Sequence, residues 1–179
     1  MKIKTSHGNF YLEATERGLY RLEFPGRPLT LPSPQRGEGN PTTLRWWDKG
    51  EGAVLRQAEK LLREYFLNRS VSFRSLKLDL SGYTSFERSV LKTLSRIPSG
   101  RTISYAGLAR KSGFPRAARA VGSVMQKNRL PIILPCHRVV RSGGGLGGYS
   151  KGLAWKKRLL TVEKINREKQ TLAAGKSMI

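Results

Sequence analysis

The nine residues Ile132-Ile133-Leu134-Pro135-Cys136-His137-Arg138-Val139-Val140 constrain the fold of this chain more than any other stretch. Bounded by Pro131 and by a glycine-rich loop, the run reads as a buried, partly extended segment. The core must therefore be built around a cysteine and a histidine that are adjacent in sequence. Cys136 is the only cysteine of the 179 residues and His137 one of two histidines. The pair is either a nucleophile with its base or a small core hydrophobe beside a hydrogen-bonded core histidine.

A single cysteine excludes an intramolecular disulfide framework and any multi-cysteine zinc site, and fits a reducing compartment. The N-terminus lacks the apolar run of a signal peptide, and no segment approaches the ~20 apolar residues of a membrane span. A cytoplasmic protein is expected, nucleoid-associated in a prokaryote or nuclear in a eukaryote. Charge adds direction. Residues 1–83 carry 14 basic and 9 acidic groups, whereas 84–179 carry 20 and 3, so most of the +22 net charge lies in the half containing Cys136. Such asymmetry favours a polyanionic partner, nucleic acid above all, and no basic amphipathic helix points to a membrane.

Phe10–Ala14 and Leu19–Phe24, flanking Glu16-Arg17-Gly18, have the pattern of a β-hairpin. The Pro-, Gly- and Ser-rich residues 26–43 supply no core and read as a mobile loop. Leu55, Ala58, Leu61, Leu62, Tyr65 and Phe66 recur at helical spacing, and Leu76, Leu78 and Leu80 alternate as in a strand. Residues 1–82 thus form a small α/β unit. Thr84 and Glu87 have capping-box spacing before the stripe Phe86, Val90, Leu91, Leu94 and Ile97, a helix ended by Pro98-Ser99-Gly100. Ser104 caps a short helix that Gly113 breaks, and Pro115 suits the first position of a helix running to about Lys127. Helix, short turn, helix suggests a DNA-binding motif. On its last helix Ala117, Val121, Val124 and Met125 form an apolar face; Arg116, Arg119, Ser123 and Lys127 form a basic one, flanked by the small Ala118 and Gly122.

Gly143, Gly145 and Gly148 match the spacing of a dinucleotide-binding loop, with Glu168 about twenty residues on. A Rossmann unit is excluded, because only eleven residues remain after Glu168 for the second parallel strand it needs. The glycines instead suit a loop whose backbone approaches a flat ligand. Beyond it, Leu153, Leu159, Leu160 and Val162 define a helix that carries Glu163 on a largely apolar face. A carboxylate so placed needs a partner: His137 is the simplest, with Lys156 or Arg138 as competing salt-bridge partners.

Residues 132–140, together with Arg119-Ala120-Val121-Gly122, Asn128, Gly148-Tyr149-Ser150 and Glu163, resemble the O6-alkylguanine-DNA alkyltransferases. The resemblance covers about residues 76–165, includes Ile97-Pro98-Ser99-Gly100 and Ser104-Tyr105, and extends more weakly to the N-terminal unit. It implies an α/β, ribonuclease-H-like domain at 1–82, an α-rich winged helix-turn-helix domain at 83–165 and a tail at 166–179. It implies double-stranded DNA containing O6-alkylguanine as partner, O4-alkylthymine as a second candidate substrate, and no cofactor or metal. A monomer is expected, with cooperative binding on DNA left open. Cys136 would accept the alkyl group as a stable thioether in a single-turnover reaction. His137 would serve as base through a water, since neighbouring side chains of an extended strand point apart, and Glu163 would hold the imidazole. Tyr105 and the amide of Ser150 would stabilise the leaving guanine, and Asn128 would tie the recognition helix to the active-site strand. Tyr149, Ser150, Cys136 and Val139 would line the base pocket. Arg119 would fill the space left by the flipped base, with Tyr105, Ala118, Gly122, Ser123 and Ser142 as further DNA contacts in the minor groove.

Arg129 departs from the family pattern, which often has proline there, and Lys151 stands in place of a commonly small residue. Two other readings compete. A non-catalytic lesion-binding relative would lack the acceptor cysteine that is present here. A winged-helix transcription factor would leave the order Tyr105, Asn128, Cys136, His137, Glu163 unexplained.

Overall fold

The computed structural model describes residues 1–26, 51–69 and 71–176, with side chains through Lys164; the loop expected at 26–43 lies outside them beyond Gly26. The hairpin forms as β2 (Gly8–Thr15) and β3 (Gly18–Glu23), joined by a further strand, β1 (Lys2–Thr5), into an antiparallel sheet of order β1-β2-β3. Only Ile3 marks β1 as half-buried, too short a pattern to read from sequence. Helix α1 (Glu51–Phe66) buries Leu55, Ala58, Leu62, Tyr65 and Phe66, the side of the helix that its spacing selects.

Residues 76–80 are not a strand. They make one parallel bridge, Leu19 to Leu78, beside Gly18. At Gly18 φ is +132°, and a Cβ would come within 2.4 Å of the Lys77 carbonyl oxygen, so only glycine permits that approach. Pairing stops there because the next position on β3 is taken: the Leu22 amide donates to the Arg129 carbonyl at 2.8 Å. Arg129 in turn donates to the Ser81 carbonyl at 2.7 Å and stacks between Tyr20 and Tyr83. The departure from proline at this position is therefore a clamp joining the sheet, the 79–83 segment and the turn that begins at Asn128.

Helix α2 (Ser85–Leu94) has the expected capping box, Thr84 with Glu87. It ends at Leu94, before Pro98, through i→i−3 turns at Arg96 and Ile97, although Ile97 stays buried. Strand β4 (Ile103–Ser104) leads into α3 (Tyr105–Lys111), whose cap is the Ser104 hydroxyl accepting from the Gly107 amide at 3.0 Å. Gly113, at φ +87°, terminates α3. Helix α4 (Ala118–Lys127) starts three residues later than Pro115 suggests, because Phe114–Ala117 closes as a turn through the Ala117 amide and the Phe114 carbonyl. Arg116 therefore precedes the helix instead of lying on its basic face.

The expected extended conformation of 132–140 is also corrected. The backbone folds back at Leu134, which bonds to Leu130, and Cys136–Arg138 form one 3₁₀ turn. Only Val139–Val140 (β5) are extended, parallel to β4. All residues from Leu130 to Val139 are nevertheless buried. The β4–β5 pairing sets the end of this segment beside the start of α3. Helix α5 (Leu153–Lys176) then runs past residue 165, where the tail was expected to begin. Buried apolar residues of both halves form one connected core, and no described helix is long and apolar enough to cross a membrane.

Candidate active site

Glu163 sits at the centre of a buried polar cluster that four separate segments build. His137 Nε2 lies 2.7 Å from Oε1, and Arg138 approaches both carboxylate oxygens through Nε (3.1 and 3.0 Å) and Oε1 through Nη2 (2.7 Å). The Tyr65 hydroxyl of α1 donates to Oε1 at 3.0 Å, and the Gly100 amide donates to Oε2 at 3.1 Å. Arg138 Nη1 completes the set on the Ile97 carbonyl. Lys156 takes no part in it. Of the candidate partners of Glu163, His137 and Arg138 are both used.

Burial alone would raise the Glu163 carboxyl, but the hydrogen bonds from His137 and Arg138 and the Arg138 charge outweigh it and hold the pKa at about 2. Glu163 is therefore an acceptor, and His137 Nε2 carries the proton it receives. The lone pair then lies on Nδ1, which is buried and has no hydrogen-bond partner among the described residues. Burial lowers the pKa of His137 despite the stabilising carboxylate, so the imidazole is neutral at pH 7.

On the other side of the turn, Cys136 forms part of the wall of an open pocket of about 540 Å³, with Tyr105, Gly122, Met125, Gln126, Gly148, Tyr149 and Ser150. Burial raises the thiol above its ordinary pKa; Asn128, its own backbone amide, Lys156 and Tyr149 pull it down without cancelling that effect. Asn128 follows α4 and spans the reversal: Nδ2 donates to the Leu134 carbonyl (2.8 Å) and Oδ1 accepts from the Leu130 amide (3.0 Å). The Tyr149 hydroxyl is buried beside Cys136, and its pKa is raised by burial and by that neighbour. At Gly147, φ is +68° and a Cβ would meet the Tyr105 hydroxyl at 3.0 Å, so this glycine lets the loop close on the tyrosine.

Val139 lies behind this wall. Its side chain is buried, and its carbonyl accepts from Lys156 Nζ at 2.6 Å. Lys156, fully buried, also donates to the carbonyls of Leu146 and Gly148 and so ties the glycine loop to the active-site segment. Sequence reasoning did not single out Tyr65, Met125 or Gln126 as parts of the site, and named Lys156 only as a salt-bridge partner of Glu163. Lys156 carried a signal, since it shares a helix face with Leu159 and Glu163 at steps of three and four.

The loop is also braced from outside: Lys151 Nζ is 2.6 Å from Glu23 Oε2 of β3, and Tyr149 packs edge-on against Phe24. Arg119 and Ser123 are exposed on α4, Ala118 and Gly122 half-buried, and Ser142 exposed on the loop. Gly122 joins this surface to the pocket, so one face of α4 meets solvent while its edge meets the cavity that Cys136 lines. Chemically, the arrangement offers a neutral thiol, a neutral imidazole with an acceptor nitrogen, and a fixed carboxylate to hold the imidazolium that results.

Residues 85–165 match the model of the 6-O-methylguanine DNA methyltransferase DNA-binding domain. A methylated-DNA–protein-cysteine methyltransferase of Methanosarcina barkeri is 38% identical over 92% of this chain and 96% of its own length. The human protein of that name is 36% identical over 87% of this chain and 75% of its own. Among solved structures, Mycobacterium tuberculosis OGT in complex with DNA has a TM-score of 0.69 at 34% identity, covering 92% of each chain.

Proposed function

Because this chain belongs to the methylated-DNA–protein-cysteine methyltransferases, we propose that it repairs double-stranded DNA by moving the alkyl group of O6-alkylguanine onto Cys136, one repair per molecule. The observation that carries this reading is the position of Cys136 in an open pocket, directly before a histidine held by a buried carboxylate.

The reaction starts from the neutral thiol. Its proton passes through a water to His137 Nδ1, and Glu163 stabilises the imidazolium through Nε2–H. A group of depressed pKa takes this proton only transiently, which suits a relay that fires when the substrate excludes bulk water. The Cys136 thiolate attacks the carbon attached to O6; the S–C bond forms as the C–O bond breaks, and its electron pair goes to the guanine. Tyr105 and the Ser150 amide stabilise that developing charge, and the proton held by the His137 imidazolium returns through water to neutralise the guanine and restore the imidazole. A thioether has no hydrolytic exit here, so the protein is consumed.

The base reaches the pocket by flipping out of the duplex. Arg119 fills the vacated stack, while Ala118, Gly122, Ser123 and Ser142 contact the flanking DNA and Asn128 keeps α4 aligned with Cys136. Tyr149 and Ser150 bound the base. The sheet covered by α1 supports reading residues 1–82 as a ribonuclease-H-like unit. The succession α2, α3, α4 with the β4–β5 pair supports a winged helix-turn-helix unit at 83–165. A monomer suffices, because every proposed group comes from one chain.

Incubation with duplex DNA containing one O6-methylguanine should add a single methyl mass, located on Cys136 by peptide mapping. Cys136→Ala should still bind DNA and transfer nothing. An unmodified wild-type protein that binds the lesion selectively would replace this reading with lesion recognition alone.

A further inference from the structure

Four large hydrophobic side chains are exposed among the described residues, and one, Phe114 at 38%, is aromatic and sits at the corner leading into α4. Its position is rigid. The Phe114 amide donates to the Ala109 carbonyl at 2.9 Å, its carbonyl accepts from Ala117 at 3.0 Å, and its ring meets Phe86 edge-on with centroids 4.8 Å apart. Gly113 before it, at φ +87°, makes the corner, and the next residues with long exposed side chains are Arg116 and Arg119. Among the described residues nothing buries the outer face of this aromatic ring, held between a glycine corner and two arginines.

We propose that Phe114 is an apolar DNA anchor, packing its outer edge on the deoxyribose wall of the groove that receives α4, beside the phosphate-directed Arg116. This rests on the proposed docking of α4 in a DNA groove. The ring's preset orientation means that little side-chain freedom is lost on contact, and the surface removed from water is worth about tenfold in affinity. Sugar contact carries no base preference, as repair at any sequence requires. It also differs from arginine in its response to salt: covering a sugar releases no counterion, whereas pairing a cation with a phosphate does.

The test is binding of the full-length protein to lesion-free duplex over a range of salt concentrations, for wild type, Phe114→Ala, Phe114→Leu and Arg116→Ala. Phe114→Ala should weaken binding about tenfold at every salt concentration with the slope of log K against log[salt] unchanged, and Phe114→Leu should fall between it and wild type. Arg116→Ala should reduce the magnitude of that slope by about one. Reaction of each variant with free O6-alkylguanine base, which needs the pocket but no DNA, separates lost contact from lost fold: wild-type rates are expected. If Phe114→Ala binds as wild type while Arg116→Ala is weakened, the anchor is refuted and the docking stands. If neither variant alters binding, the docking of α4 itself fails. A Phe114→Ala defect shared by the free-base reaction would make the ring a packing residue and also refute the anchor.

Discussion

The two sides of the Cys136–Arg138 turn are built on opposite principles. Behind it, Glu163 receives donors from His137, Arg138, Tyr65 and Gly100. In front of it, the Tyr149 hydroxyl is buried beside Cys136 and the Cys136 thiol is raised by burial. The back gathers four protein donors that fix a charge; the front is a wall on an open pocket, able to adapt to what enters it. A protein that uses its nucleophile once needs both. The charge that steadies the imidazolium must not move, and the thiol must stay neutral until the pocket is filled.

The contrast is tested most severely by Glu163→Gln, which keeps the shape and removes the charge. Buried Arg138 then lacks its counter-ion, a loss of about 3–5 kcal/mol of stability, and the imidazolium loses its support, for about 10²–10⁴ in the single-turnover rate. Chemical denaturation and a quenched-flow assay would read the two effects separately. A stable variant with near-normal transfer would show that the back is scaffold only.

The same cluster sets the acid response. Glu163 has a folded pKa of about 2 against an ordinary 4.5, so its contribution is complete above 4.5 and is lost as pH falls towards 2, on the order of 3 kcal/mol. His137, depressed in the folded state, binds protons more weakly there than when unfolded, so stability also declines as pH falls below its ordinary 6.5. The acid limb of the transfer rate should accordingly lie below pH 6.5, and denaturation midpoints between pH 7 and pH 3 should fall in both windows for wild type. Glu163→Gln should lose only the lower window. A rate that fell by half above pH 6.5 would contradict the neutral resting imidazole.

Tyr65→Phe removes one of the donors on Glu163 without adding volume. The expected cost is about 1 kcal/mol of stability and a several-fold slower transfer, with DNA affinity unchanged. Since Tyr65 belongs to α1, the variant also measures how far the N-terminal unit takes part in the chemistry of the other half. An unaltered rate would confine Tyr65 to packing.

How much of this was legible in the sequence depends on whether a signal was local. Thr84 with Glu87, Ser104 as a cap and Gly113 as a break each act within a few residues, and each appears where the spacing puts it. His137 and Glu163 were legible because a carboxylate on an apolar face must find a partner. Leu76, Leu78 and Leu80 misled, because alternation describes exposure but not whether a neighbouring strand is free, and Arg129 had taken the place. The 3₁₀ turn at Cys136 was hidden inside an apolar run that burial alone explains. Tyr65 was missed and Lys156 was given the wrong partner, since their actual partners, a carboxylate 98 residues away and the carbonyls of Val139, Leu146 and Gly148, meet them only in the tertiary fold.

The smallest effect is expected at the front, from Lys151→Ala. Its ammonium meets Glu23 at 2.6 Å, with the side chains 11% and 18% exposed, beside the ring of Phe24. Partial exposure limits the ion pair to about 1 kcal/mol or less. Lys156 remains to tie the Leu146 and Gly148 carbonyls of the loop to Val139, so loss of the outer brace should leave the pocket in place and change the methyl-transfer rate by no more than about threefold. Thermal denaturation and the same rate assay would check both values. If Lys151→Ala slowed transfer as much as Tyr65→Phe, the front would be as dependent on fixed contacts as the back. The division between a rigid charge and an adaptable pocket would then give way to a single rigid site clamped from both sides.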